Sequence, residues 1–132
     1  MSRTIDNLMK AAQGEAFARL KYMAFAQKAM QDGHPEVAQL FEEAAGAETI
    51  HGINHLFAMD FVKPTKENLG AAAAGEQDEI DEMYPRMVEE AKNDTEITEE
   101  QRVKAIKAFE TAMQREKAHD AMFKDAMQNF TE

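Results

Sequence analysis

The 132-residue chain has no cysteine, only three prolines and six glycines, and few positive charges. Without cysteine there are no disulfides, no thiolate metal ligands and no cysteine nucleophile. The absence also fits a reducing cytoplasm. Fifteen Lys and Arg against 25 Asp and Glu leave a formal net charge of −10. That balance argues against DNA or RNA as a partner, because phosphate binding needs a basic face. No stretch approaches the ~20 apolar residues of a membrane span. The N-terminal MSRTIDNLMKAAQGEAF lacks the apolar run of a signal peptide. The expectation is a soluble, cytoplasmic, single domain over residues 1–132, without nucleic-acid or membrane partners.

What is abundant is Ala, Met, Glu, Lys and Gln, all good helix formers. Nothing reads as a strand. The pattern predicts four helices. Helix A runs from Thr4 to Gln31 and stops at Asp32-Gly33. Helix B starts at Pro35, a favoured first-turn residue, and runs to Asp60. The segment Phe61 to Pro64 breaks the pattern, and Thr65 is the expected N-cap of helix C, which continues to Lys92. Pro85 lies inside helix C and predicts a kink or irregularity there. Thr98-Glu99-Glu100-Gln101 fits a capping box and opens helix D, which ends near Asn129. Four long helices with short connections define an all-α four-helix bundle.

Each helix carries one apolar stripe, and each stripe is interrupted near its middle by ionisable residues. Glu15 interrupts helix A, Glu48 and His51 helix B, Glu76 and Glu79 helix C, and Glu116 and His119 helix D. Five inward carboxylates at one level cannot be compensated by Arg19, the only cation near them. Buried unpaired carboxylates cost several kcal/mol each, so two di- or trivalent metal ions are the expected counter-charge. Helices B and D repeat one motif, FEEAAGAETIH from Phe41 and FETAMQREKAH from Phe109. Helices A and C repeat another, AAQGE and AAAGE. In each Glu-x-x-His, positions i and i+3 share a helix face and converge on one ion. Two such helices plus a Glu from each of two others form the dinuclear centre of ferritin-like proteins. Oxygen-rich ligation with a few imidazoles suits iron or manganese, with zinc as a substitute. The competing view, surface glutamates and core histidines, leaves unexplained why all four stripes fail at the same depth.

The motifs GE…Y on helix A, ExxH on helix B, GEQDEIDEMYP on helix C and ExxH on helix D resemble those of rubrerythrins over nearly the whole chain. The resemblance implies a ferritin-like bundle with two iron ions. It implies Glu48 and Glu116 as bridging carboxylates, Glu15 and Glu79 as terminal ligands of one iron, and Glu76 and His119 as ligands of the other. It further implies that His51 exchanges with Glu79 when the oxidation state changes. Tyr22 and Tyr84 match tyrosines that hydrogen-bond near the metal carboxylates. Many rubrerythrins also carry a rubredoxin domain with Cys-x-x-Cys motifs. This chain resembles the short members without it, so electrons would come from an external donor, such as a rubredoxin-like protein or a reductase.

The implied activity is a di-iron peroxidase acting on hydrogen peroxide in oxidative-stress defence. A ferroxidase acting with O₂ and a helical module with structural zinc are the alternatives. Glu79, which has Ala18 in its place on helix A, favours the peroxidase. A homodimer is expected. The bundle closes either within one chain or by exchange of hairpins between two. His55 is expected to be structural or to support the ligands, and His34 to face solvent. Asp78, Asp81 and Glu82 fall off the stripe, and most of the ten methionines sit at core spacing.

Overall fold

The computed structural model describes residues 2–131. All regular structure among them is helical, as expected: α1 Arg3–Gln31, α2 Pro35–Ala58, α3 Thr65–Asp78, a π-helical turn Glu79–Met83, α4 Tyr84–Asn93 and α5 Glu99–Asn129. The chain divides into two compact units at the Val62–Lys63 junction. Each is a helical hairpin.

In the first hairpin, Ser2 caps α1 by accepting the Ile5 N–H at 3.3 Å. The helix stops where expected. Gly33 adopts φ +84°, a left-handed conformation that glycine enters without a Cβ clash. Pro35 then opens α2, where its missing N–H costs nothing. His34 precedes it, exposed as expected. The helices meet along a seam of small residues. Ala12, Ala26 and Ala29 on α1 and Ala38 and Ala45 on α2 are the buried residues, with Phe41 packed on the Ala26–Ala29–Ala38 cluster. Gly52 continues the seven-residue spacing of Ala38 and Ala45, and a Cβ there would lie 3.4 Å from the Glu15 Cβ. Small side chains therefore bring the α2 backbone against α1 at the level of Glu15. Helix α2 ends at Ala58, two residues before the expected Asp60, which itself has φ +57°.

The second hairpin pairs α5 with α3, the π turn and α4. Thr65 is not the N-cap expected of it. It is the first helical residue, and Pro64 occupies the cap without a side-chain bond. The Asn68 Oδ1 accepts the Lys63 N–H at 2.9 Å instead. The capping box of α5 forms: the Thr98 Oγ1 accepts the Gln101 N–H at 3.1 Å, and the Gln101 Oε1 accepts the Thr98 N–H at 2.9 Å. Arg102 then ties α5 to the preceding turn by donating to the Ala91 and Asp94 carbonyls.

The irregularity expected at Pro85 lies just before it. Pro85 sits within the first two residues of α4, and the preceding turn is π-helical, with the Tyr84 N–H bonded to the Glu79 carbonyl. Proline has no N–H, and its ring clashes with a carbonyl one turn back. The widened turn relieves that conflict upstream of the ring.

Candidate metal centre

The structure brings together two sets of ligand-type side chains, one in each hairpin. The first is Glu15 from α1 with Glu48 and His51 from α2. The second is Glu76 from α3 with Glu116 and His119 from α5. Within each set the candidate ligand atoms all lie within 4.8 Å of one another. The i, i+3 spacing puts each Glu-x-x-His pair on one face, and the facing helix supplies the third group.

The distances within the sets are informative. His51 Nδ1 is 3.7 Å from Glu15 Oε2. His119 Nδ1 is 3.8 Å from Glu76 Oε1 and 3.6 Å from Glu116 Oε2. These separations exceed a hydrogen bond. Two atoms bonded to one ion at about 2.0–2.2 Å can stand at most about 4.4 Å apart, so the same separations fit shared coordination. The buried oxygens Glu15 Oε2 and Glu76 Oε2 have no hydrogen-bond partner. Buried carboxylate oxygens without donors are costly. One stands in each set, and a cation there would satisfy both. The donor sets, two carboxylates and one imidazole each, fit iron or manganese and accept zinc.

Glu79 stands outside both sets. It is half-buried and is the first residue of the π turn. Its aligned position in the first hairpin is Ala18, and the two hairpins differ in length just beyond it. Tyr22 follows Glu15 by seven residues, whereas Tyr84 follows Glu76 by eight. Yet the Tyr22 ring lies 6.1 Å from Phe41, and the Tyr84 ring 6.1 Å from Phe109, the matching phenylalanine of the repeat. The π turn absorbs the extra residue and returns Tyr84 to the equivalent place. Both tyrosines are half-buried, and the contacts seen for them are aromatic, joined at Tyr22 by the Lys21 ammonium 5.4 Å from the ring centre.

Arg19 is exposed and lines, with Glu15 and Glu48, a cavity of about 320 Å³ along α1 and α2. His55 approaches the other oxygen of Glu15, with Nε2 3.9 Å from Glu15 Oε1. Its i+4 position after His51 is the signal for that contact. Asp78, Asp81 and Glu82 are exposed. Among the described residues no helix is long and apolar enough to cross a membrane. Sequence reasoning overlooked Gln77, Asp120 and Lys124, which form a polar chain beside the second set. An Asp four residues before a Lys on one helix is the only local hint of it.

Paired helices that present Glu, Glu and His clusters define a class, the helical carboxylate–histidine metal proteins. Comparison with known proteins narrows it. The family model described as Rubrerythrin matches residues 6–127. Nigerythrin of Nitratidesulfovibrio vulgaris is 35% identical over 130 residues, covering 88% of this chain and 61% of its own. Rubrerythrin-2 of Clostridium acetobutylicum is 30% identical over 143 residues, covering 98% and 74%. The rubrerythrin of N. vulgaris is 31% identical over 144 residues, covering 99% and 72%. The chain belongs to the rubrerythrin family and spans 61 to 74% of the length of these three relatives.

Proposed function

We propose that the protein is a di-iron peroxidase that reduces hydrogen peroxide to water with electrons from an external donor. The observation that carries this reading is the pair of matched Glu/Glu/His sets accompanied by one unmatched carboxylate, Glu79, in the π turn. Two ions, one per set, match a two-electron reduction. When bound as Fe(II), each would supply one electron, and with two protons hydrogen peroxide becomes two molecules of water.

The residues of the chain would divide the work of holding that pair. Glu48 and Glu116 are proposed as shared carboxylates, Glu15 and Glu79 as ligands on one side, and Glu76 and His119 on the other. His51 and Glu79 would be alternative ligands of the same position. A neutral imidazole suits the lower ionic charge, and an added carboxylate compensates the higher one. Tyr22 and Tyr84, held by Phe41 and Phe109, would support the ligand carboxylates from behind. A rubredoxin-like protein, a reductase or a small reductant is proposed as the electron donor. A cytoplasmic homodimer is proposed from the family resemblance.

The test is anaerobic stopped-flow mixing of Fe(II)-loaded protein with peroxide and with O₂. Peroxide is expected to react much faster, and Glu79→Ala to narrow the gap. Faster reaction with O₂ would assign a ferroxidase, and silence with both oxidants would overturn both activities.

A further inference from the structure

The second hairpin carries a polar chain that neither its core nor its metal-ligand set accounts for. Lys124 Nζ lies 2.8 Å from Asp120 Oδ2, one turn back on α5. It also donates across to Gln77 Oε1 on α3 at 2.7 Å. Gln77 Nε2 in turn donates to Asp81 Oδ2, inside the π turn, at 2.6 Å. Every end of this chain adjoins the candidate site. Asp120 follows His119, Gln77 follows Glu76, and Asp81 lies two residues beyond Glu79. The Asp120 side chain is mostly buried, and its Oδ1 has no hydrogen-bond partner. Among the described residues Lys124 is its one ion partner.

The first hairpin shows what the same positions look like without such a chain. Aligning the repeated motifs places Ala16, Gly52 and Leu56 where the second hairpin has Gln77, Asp120 and Lys124. All three line the cavity between α1 and α2. The polar chain therefore accompanies the π turn. The hairpin with the extra residue has it, and the hairpin without that residue has small and apolar side chains instead.

There is a physical reason for the coincidence. An extra residue in a helix is not locked to one place, because a π turn is a local departure from the α pattern. Sliding it by one residue rotates the intervening side chains by about 100° around the helix. Glu79 and its neighbours would then face elsewhere. The bond to Lys124 ties Gln77, two residues before the turn, to α5, and the bond to Asp81 ties the turn to Gln77.

We propose that Gln77 and Lys124 are positioning residues of the metal centre, and that with Asp81 and Asp120 they pin the π turn carrying Glu79 in register with Glu116 and His119. This rests on the reading of the Glu/Glu/His sets as metal ligands and is independent of the oxidant.

The test titrates the whole protein with Co(II) and follows the visible ligand-field bands. Lys124→Met and Gln77→Leu are each expected to weaken Co(II) binding about tenfold, the lower end for loss of a partner behind a ligand, and to alter the spectrum. The double variant is expected to be no weaker than the worse single one, because both cut one chain. Lys124→Arg should restore affinity and spectrum. Gln77→Glu keeps the acceptor for Lys124, loses the donor to Asp81, and should change the spectrum even if Gln77→Leu fails to fold. Wild-type affinity and spectrum in Lys124→Met, additive losses in the double variant, or an unchanged spectrum in Gln77→Glu would each overturn the proposal. Wild-type protein that binds no Co(II) would overturn the metal reading with it. Co(II) binding without peroxide reduction would sink only the peroxidase.

Discussion

Replacing Glu116 by Gln should strengthen the metal-free protein and weaken the metal-bound one. In the second set, the closest oxygens of Glu76 and Glu116 stand within 4.8 Å, and each side chain is only 17% exposed. Two carboxylate charges at that distance repel by about 3 kcal/mol at an effective dielectric constant of 20. Residual solvent lowers the net gain on neutralising one of them to roughly 1–3 kcal/mol. For a chain of this size roughly 4 °C of melting temperature accompanies each kcal/mol, so Glu116→Gln in EDTA should melt roughly 4–12 °C above wild type. The metal acts in the opposite sense. An ion at a hundredfold excess over its dissociation constant stabilises by about 2.7 kcal/mol per site. If the loss of a charged ligand weakens the site a hundredfold, about 0.4 kcal/mol remains there at the same ion concentration. Because Glu116 is proposed as a carboxylate common to both ions, the first site weakens as well, and the metal-induced rise should fall to half or less. The assay is thermal unfolding by circular dichroism with EDTA and with Co(II) or Mn(II), at about pH 8, where imidazoles in general are uncharged. A variant less stable than wild type in EDTA, with an undiminished rise on adding metal, would refute the assignment of these carboxylates to a metal.

Other outcomes follow from the local structure. Thr98→Ala removes one half of the α5 capping box and should cost about 1 kcal/mol in urea denaturation, with Thr98→Ser close to wild type. Gly33→Ala forces a Cβ into φ +84° and should cost about 1–2 kcal/mol, whereas Gly46→Ala, in open space within α2, should gain about 0.5–1 kcal/mol. Deleting Ile80 removes one residue from the π turn. It should leave overall helix content by circular dichroism unchanged while changing the spectrum of bound Co(II), and an unchanged spectrum would mean that the turn does not set ligand geometry.

The helices were legible in the sequence wherever a residue punctuates them by its own chemistry. Gly33 allows a left-handed φ, Pro35 has no N–H to lose, and Thr98 with Gln101 satisfies two free donors, so the observed ends at these places match expectation within a residue or so. Thr65 misled because a threonine near a helix start caps only when its backbone is still extended, and here it is already helical. The convergence of Glu48 with His51, and of Glu116 with His119, was legible from the i, i+3 spacing. The addition of Glu15 to one pair and Glu76 to the other came from helix packing: the family resemblance groups Glu15 with Glu79.

The sequence by itself determined that Glu48 and His51 share a face of one helix, and Glu116 and His119 a face of another, because residues three apart fall on one side of an α-helix. It also determined that the two hairpins share a plan, since the motifs repeat in order. Tertiary structure alone decided where the extra residue of helix C is accommodated. Pro85 announces a conflict, but the carbonyl that yields depends on how the helix is held against α5. That placement leaves Glu79 outside both three-residue sets. It also joins Gln77 to Lys124, a pair 47 residues apart that no local pattern connects. Contacts between helices depend on distance and rotation across a packed interface, and a periodic pattern specifies only the face that each helix brings to it.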